Sequence, residues 1–116
     1  MARLILFKEI SGELSWVNCN NLDDYYKNLD CGCFDIVNAN VGGQILDIYV
    51  DDVGLLTHRP ISALDENLQP RLVGNLIFAR HNEDGETVSC TVEDMSAIRS
   101  RIIRVNKFGR MVVLGD

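Results

Sequence analysis

In the stretch DIYVDDVGLLTHR, Asp47 to Arg59, three aspartates, a tyrosine, a histidine and an arginine lie close enough together to raise metal-binding, acid–base or ligand-binding chemistry. Side chains on a strand alternate between faces, so Asp51 and Asp52 do not readily converge on one ion, and a divalent site would need oxygen ligands from elsewhere. The pair stands where a run of sheet formers ends, and Gly54 supplies a residue tolerant of left-handed geometry. The chemistry of DDVG is therefore that of a turn whose aspartates cap backbone amides. The competing reading is a polar pocket near Asp51–Pro60 that uses Asp51, Asp52, His58 and Arg59 beside an apolar wall.

Other reaction chemistry lacks its parts. A serine or cysteine nucleophile needs a histidine, and only His58 and His81 are present, both in polar, turn-like surroundings. No serine lies in a G-x-S-x-G elbow, and the short VGGQ and VGN stretches open no helix that would offer amides to a phosphate. Cys19, Cys31, Cys33 and Cys90 read as small core residues, since CGC lacks the two-residue spacing of redox sites and the set matches no common zinc knuckle. The expectation is a non-enzyme with no catalytic residue, metal or cofactor.

Charge is unevenly placed. From Asn20 to Asp52 there are seven aspartates, Asp23, Asp24, Asp30, Asp35, Asp47, Asp51 and Asp52, against Lys27 alone, which accounts for the whole net charge of −6. From Ser96 onward the sign reverses, with Arg99, Arg101, Arg104, Lys107 and Arg110 against Asp116. The excess of acid argues against partners that need a positive field, nucleic acid and anionic membranes among them. Two oppositely charged segments also predict attraction within one chain or between two, as in a homodimer.

The 116 residues are the length of one domain, 1–116, and 47% hydrophobic composition supplies one core. No apolar run is long enough to span a bilayer, and Lys8 and Glu9 interrupt the first one too early for a signal peptide, so a cytoplasmic location is expected. RLILFKEI and ELSWVN predict a hairpin turned by Ser11-Gly12. Asn21 is a candidate N-cap for a short helix with Leu22, Tyr25, Tyr26 and Leu29 at three-to-four spacing. CFDIVNANV and QILDIYV predict a second hairpin around Gly42-Gly43, with Leu46, Ile48 and Val50 on one face and Asp47, Tyr49 and Asp51 on the other. LVGNLIFA reads as one central strand bulged at Gly74, HNEDGE as a loop turned at Asp84-Gly85, and TVSCTV as its return strand. Thr91 and Asp94 form a capping box for a helix with Met95, Ile98 and Ile102 on its apolar face, followed by two strands around Gly109. The fold class is α+β: a mainly antiparallel, strongly twisted sheet or partial barrel with two short helices.

Gly42-Gly43, YVDDVGLL, Ser62-Ala63 and LVGNLIF, in that order between Val41 and about Met95, resemble a family of small proteins of phages and mobile elements known only as a domain of unknown function. Members usually carry D-E-G-L-L where this chain has Val53 before the glycine. The resemblance implies context, a gene of phage or mobile-element origin acting in a bacterial cytoplasm; together with the acidic segment it leads to the expectation of an accessory protein that binds a host or phage protein. The contact expected from charge runs from Asp23 and Asp24 through Asp47 and Tyr49 to Asp51, Asp52, His58 and Arg59. A nucleic-acid mimic that blocks a DNA-binding enzyme is the strong form of that idea, although seven carboxylates are few for one.

Overall fold

The structure, a computed structural model, describes residues 2–115. In chain order its elements are β1 (Ala2–Phe7), β2 (Leu14–Cys19), α1 (Leu22–Leu29), β3 (Phe34–Val41), β4 (Gln44–Asp51), β5 (Ile61–Leu64), β6 (Pro70–Val73), β7 (Leu76–His81), β8 (Thr87–Val88), α2 (Val92–Ser100), β9 (Ile102–Val105) and β10 (Gly109–Val113). The fold is α+β. One sheet runs β2-β1-β7-β4-β3, with β8 added to β7, and a second runs β6-β5-β10-β9. Every pairing is antiparallel except that of β5 with β10. The sheets join where Gly115, just past β10, exchanges backbone hydrogen bonds of 2.7 and 3.2 Å with Asn40 on the outer edge of β3. The result is an open, partly rolled arrangement without barrel closure.

Alternation along β4 follows the sequence pattern, and the register shows what each face meets. Ile48 lies beside Phe78, which in turn neighbours Ile5, and all three are fully buried. This face packs into one core shared with Ala63, Val112 and Leu114 of the second sheet side and Met95 and Ile98 of α2. Each fully buried phenylalanine or isoleucine contributes about 1.5–3 kcal/mol relative to exposure. The opposite face is covered at one end by α1, whose Tyr25 ring stacks on Tyr49 with centroids 4.5 Å apart, while Phe34 packs against both. Leu22 departs from the expected apolar stripe of α1: it is 59% exposed, and Tyr25 and Leu29 supply the burial.

Five local readings need correction. The first hairpin forms in the expected place, but Phe7 and Leu14 are its last partners, so its connection spans residues 8–13 and not Ser11-Gly12 alone. The reason is tertiary: Ile10 accepts the Arg110 amide at 2.8 Å, so the loop is shaped by β10 as well as by its own turn. LVGNLIFA is two strands in different sheets, with Gly74 at φ +81° as the crossing point; a Cβ there would lie 2.8 Å from Arg59 Nε. Gly54 has no positive φ, and is required for space, since its Cβ would lie 2.6 Å from Val73 Cγ2. The return strand pairs only through Thr87 and Val88, and Ile102 begins β9, beyond the end of α2.

α2 begins as its sequence dictates. Thr91 Oγ1 accepts the Asp94 amide at 3.2 Å and Asp94 Oδ2 accepts the Thr91 amide at 2.8 Å. Asp94 is also fully buried and forms a fork with Arg80 of β7, with Nε and Nη2 donating at 2.6 Å. Burial pushes its carboxyl up, but the Arg80 guanidinium and the Thr91 donors outweigh that, so the group titrates below the usual carboxylate range. A depressed native value means that the stability it contributes is complete above the unfolded-state value near pH ~3.9 and is lost as pH falls through the native value. Replacing Asp94 with alanine should cost about 3 kcal/mol in urea unfolding at neutral pH, from a lost cap and a stranded cation. The wild-type advantage over that variant should shrink below about pH 4, and a difference that is flat with pH would contradict the ion-pair account.

Candidate functional site

The residues from Asp47 to Arg59 are separated by the fold into two groups. The first centres on Arg59. Its Nη1 donates to the carbonyls of Leu29 at 2.8 Å and Asp30 at 3.1 Å and to Asp51 Oδ2 at 3.0 Å, and its Nη2 donates to Glu9 Oε1 at 3.0 Å. The two carbonyls are those that the end of α1 leaves without intrahelical partners, and a cation there also complements the helix dipole. With 11% exposure the Arg59 side chain is enclosed, and Asp51 at 5% more so. Burial disfavours its charge, yet the hydrogen bonds and fields of Glu9 and Asp51 prevail and hold the guanidinium protonated beyond its ordinary range. Asp51 has a second task, since its Oδ1 accepts the Val53 amide at 3.0 Å. The aspartate therefore caps the turn as its sequence suggests, and it is not free for a ligand.

Asp52 and His58 do not join this group: both are exposed, and His58 takes the left-handed conformation at φ +57°. A cleft of 160 Å³ does lie beside the turn, lined by Asp51, Asp52 and Leu55 against Arg71, Leu72 and Val73 of β6. Its size falls below the roughly 300 Å³ at which small-molecule pockets begin. His58 and Arg59 are not in it. Among the described residues no three His, Cys, Asp or Glu side chains come together as a metal-binding group. The Cys19 and Cys90 thiols are pushed up to about 11 and about 12, mainly by burial, and so stay protonated at neutral pH.

The second group lies further back along the same face of β4. Asp47 Oδ2 lies 2.7 Å from His81 Nδ1, and its Oδ1 accepts from Asn38 Nδ2 at 3.1 Å. Next along β4, the Tyr49 hydroxyl lies 3.0 Å from Thr87 Oγ1, and Thr87 is the cross-strand partner of His81. A carboxylate on Nδ1 selects the tautomer and orientation of the ring and leaves the other nitrogen outward. The ring, however, is 54% exposed, so this Asn-Asp-His line stands on an open surface. Alternation in β4 already put Asp47 and Tyr49 on one face; His81, Asn38 and Thr87 could not be added without knowing which strands flank β4.

Of the acidic segment, Asp51 alone among the described residues pairs with a lysine or arginine, Arg59, while Asp47 meets the His81 ring. Asp24 Oδ2 accepts the Asn20 amide at 2.7 Å at the start of α1, where the Asn21 cap forms as expected. Asp23, Asp30, Asp35 and Asp52 are exposed and make no ion pair among the described residues, and the same is true of Arg99, Arg101, Arg104, Lys107 and Arg110. The opposite segments thus make no ion pair with each other among the described residues. No helix among those residues is long and apolar enough to cross a membrane.

Replacing Arg59 with methionine leaves Asp51 buried and Glu9 half-buried beside an apolar side chain, and should cost about 3–5 kcal/mol. His58→Ala should stay within about 0.5 kcal/mol. Urea midpoints at constant slope measure both, and a small loss at Arg59 would mean that the ion-pair group is not structural.

No curated protein and no solved structure matches the chain, whereas one family profile does. That profile covers residues 3–103, well beyond the Val41–Met95 stretch that carries the resemblance in sequence. On this match the chain belongs to the DUF3846 family, a domain of unknown function.

Proposed function

We propose that the protein is a non-enzymatic accessory protein of a phage or mobile element, acting in a bacterial cytoplasm by binding a host or phage protein. The contact is the end of the molecule where α1 finishes, β3 begins and β4 gives way to its turn. Arg59 ties the end of α1 to the end of β4 by bonding Leu29, Asp30 and Asp51, and Phe34 at the start of β3 pairs with Asp51. The acids Asp30, Asp35 and Asp52 belong to these segment ends and are exposed, without a cationic partner among the described residues.

One observation carries the reading further than charge does. Leu55 and Leu56, at the tip of the same turn, are 77% and 80% exposed. Apolar side chains displayed together beside uncompensated charge are the composition of an interaction surface, with an anchor to be buried and a rim to orient it. The partner that fits has a basic surface around an apolar depression. Electrostatic attraction of this kind raises the association rate and weakens with salt.

The alternative, a small-ligand binder or minor enzyme near Asp51–Pro60, has the 160 Å³ cleft in its favour, but Arg59 is already committed to Asp51 and Glu9. The proposal is tested by capture from host lysate with three baits of verified fold: wild type, a variant with Asp23, Asp30, Asp35 and Asp52 changed to asparagine, and Leu55→Ser with Leu56→Ser. A partner held by the wild type should be lost by the leucine variant and should bind the asparagine variant about tenfold more weakly, with reduced salt dependence. Recovery equal for all three baits would refute this surface as the contact.

A further inference from the structure

The arginines left unpaired near the C-terminal end meet on a different surface. In the β9–β10 hairpin Arg104 and Arg110 are direct cross-strand partners. Side chains in that relation share a face with Cβ atoms about 4.5–5.5 Å apart, and like charges so placed repel. Arg110 lines a cleft of 450 Å³ together with Arg99 from the last turn of α2, Ile102, Leu14, Gly12 and Glu13. Ile102 and Arg104 alternate onto the same side of β9, so Arg104 faces this cleft side as well. Against these three cations the lining offers one carboxylate, Glu13, and none of the three arginines makes an ion pair among the described residues.

The backbone under Arg110 is held with unusual firmness. A Cβ at Gly12 would lie 2.5 Å from Arg110 Cβ, and one at Gly109 would lie 2.3 Å from Ile10 O. Ile10 itself sits at φ +69°, a conformation in which a β-branched residue is a true outlier, and its carbonyl accepts the Arg110 amide at 2.8 Å. A strained loop is thus clamped against the residue that brings its guanidinium to the cleft.

We infer that this cleft, between the β1–β2 loop, α2 and the β9–β10 hairpin, is a binding site for a compact phosphorylated small molecule. Guanidinium groups donate two parallel hydrogen bonds to a phosphoryl group, and two facing arginines exchange their mutual repulsion for a shared anion. A cleft of 450 Å³ is within the range of small-ligand sites. The net charge of −6 selects against an extended polyanion, whose phosphates outside the cleft meet repulsion, whereas a compact anion feels mainly the arginines within a screening length of about 8 Å. The site is separate from the acidic contact proposed above and does not rest on it.

The experiment is thermal unfolding and titration calorimetry of the full chain with pyrophosphate, against chloride at matched ionic strength, with a short DNA duplex as a parallel probe. Saturable stabilisation of the wild type by pyrophosphate is expected. Arg104→Gln and Arg110→Gln should each weaken binding about tenfold or more. Arg104→Gln should also raise the melting temperature in the absence of the anion, because it removes the repulsion; a role confined to packing would not produce that sign. Arg101→Gln, at a residue that lines a different cleft, should bind as the wild type does. If Arg110→Gln does not fold, Arg104→Gln and Arg99→Gln, both at exposed positions, carry the comparison. The inference is overturned by the absence of saturable stabilisation, by variants that respond as the wild type does, or by binding of the duplex without binding of pyrophosphate.

Discussion

Burying a guanidinium is unfavourable unless its charge is matched and its donors are used, and at Arg59 two carboxylates and two main-chain carbonyls meet that condition. The partners come from three separate places: the loop after β1, the end of α1 with the residue after it, and the end of β4. Position 59 therefore determines how α1 lies against the first sheet, and Gly74 follows from it, because a side chain there would collide with the guanidinium where the chain crosses between sheets. Apolar residues in place of the whole group, arginine and carboxylates together, could pack as well there, but they would not fix the direction of the helix end. The group is not fully satisfied: Glu9 Oε2 is buried without a hydrogen-bond partner. The neighbouring Asn75 side chain extends the same net, accepting the Glu9 amide at 3.0 Å and donating to Asn28 O at 3.1 Å.

The division of charge follows from that geometry. Because Arg59 and Asp51 neutralise each other inside, the acids that remain around them are outside, while the arginines of the C-terminal segment project from the second sheet and α2. α1 packs on the Tyr49 face of the first sheet, and Arg80, on the Phe78 face, ties α2 to the other. Among the described residues these exposed acids and arginines make no ion pair with one another.

What was legible in the sequence was local. The capping box of Thr91 and Asp94, the cap at Asn21, the Gly42-Gly43 hairpin and the role of Asp51 in its own turn all rest on partners a few residues away. Alternation in β4 also gave the two faces correctly. The relations that failed to appear are those closed by tertiary structure: Arg59 with Glu9, fifty residues apart in sequence, and His81 with Asp47, thirty-four apart. Gly74 was legible as a break but not as a change of sheet, because a bulge and a crossing require the same freedom from a glycine. Ile10 gave no signal at all, since nothing in a β-branched residue suggests a left-handed backbone; the hydrogen bond from Arg110 and the packing of Gly109 impose it.

The turn after β4 is shaped by the structural ion pair of Asp51 and Arg59. Between Asp51 and Arg59 the backbone is closed by bonds from Leu56 and Thr57 to Val53 O at 3.0 and 3.1 Å and from the Arg59 amide to Gly54 O at 2.9 Å, with the Asp51 carboxylate on the Val53 amide. The turn is thus pinned at both ends by the two members of one buried pair. Leu55 and Leu56 are then displayed at the tip of a turn closed by these hydrogen bonds. Ordering a loop is among the main costs of association, so a tip already ordered binds with less of that cost than a flexible loop carrying the same two leucines. On the contact proposed above, Asp51 and Arg59 would act as positioning residues, and the side chains left to meet a partner would be the leucines and the acids around them.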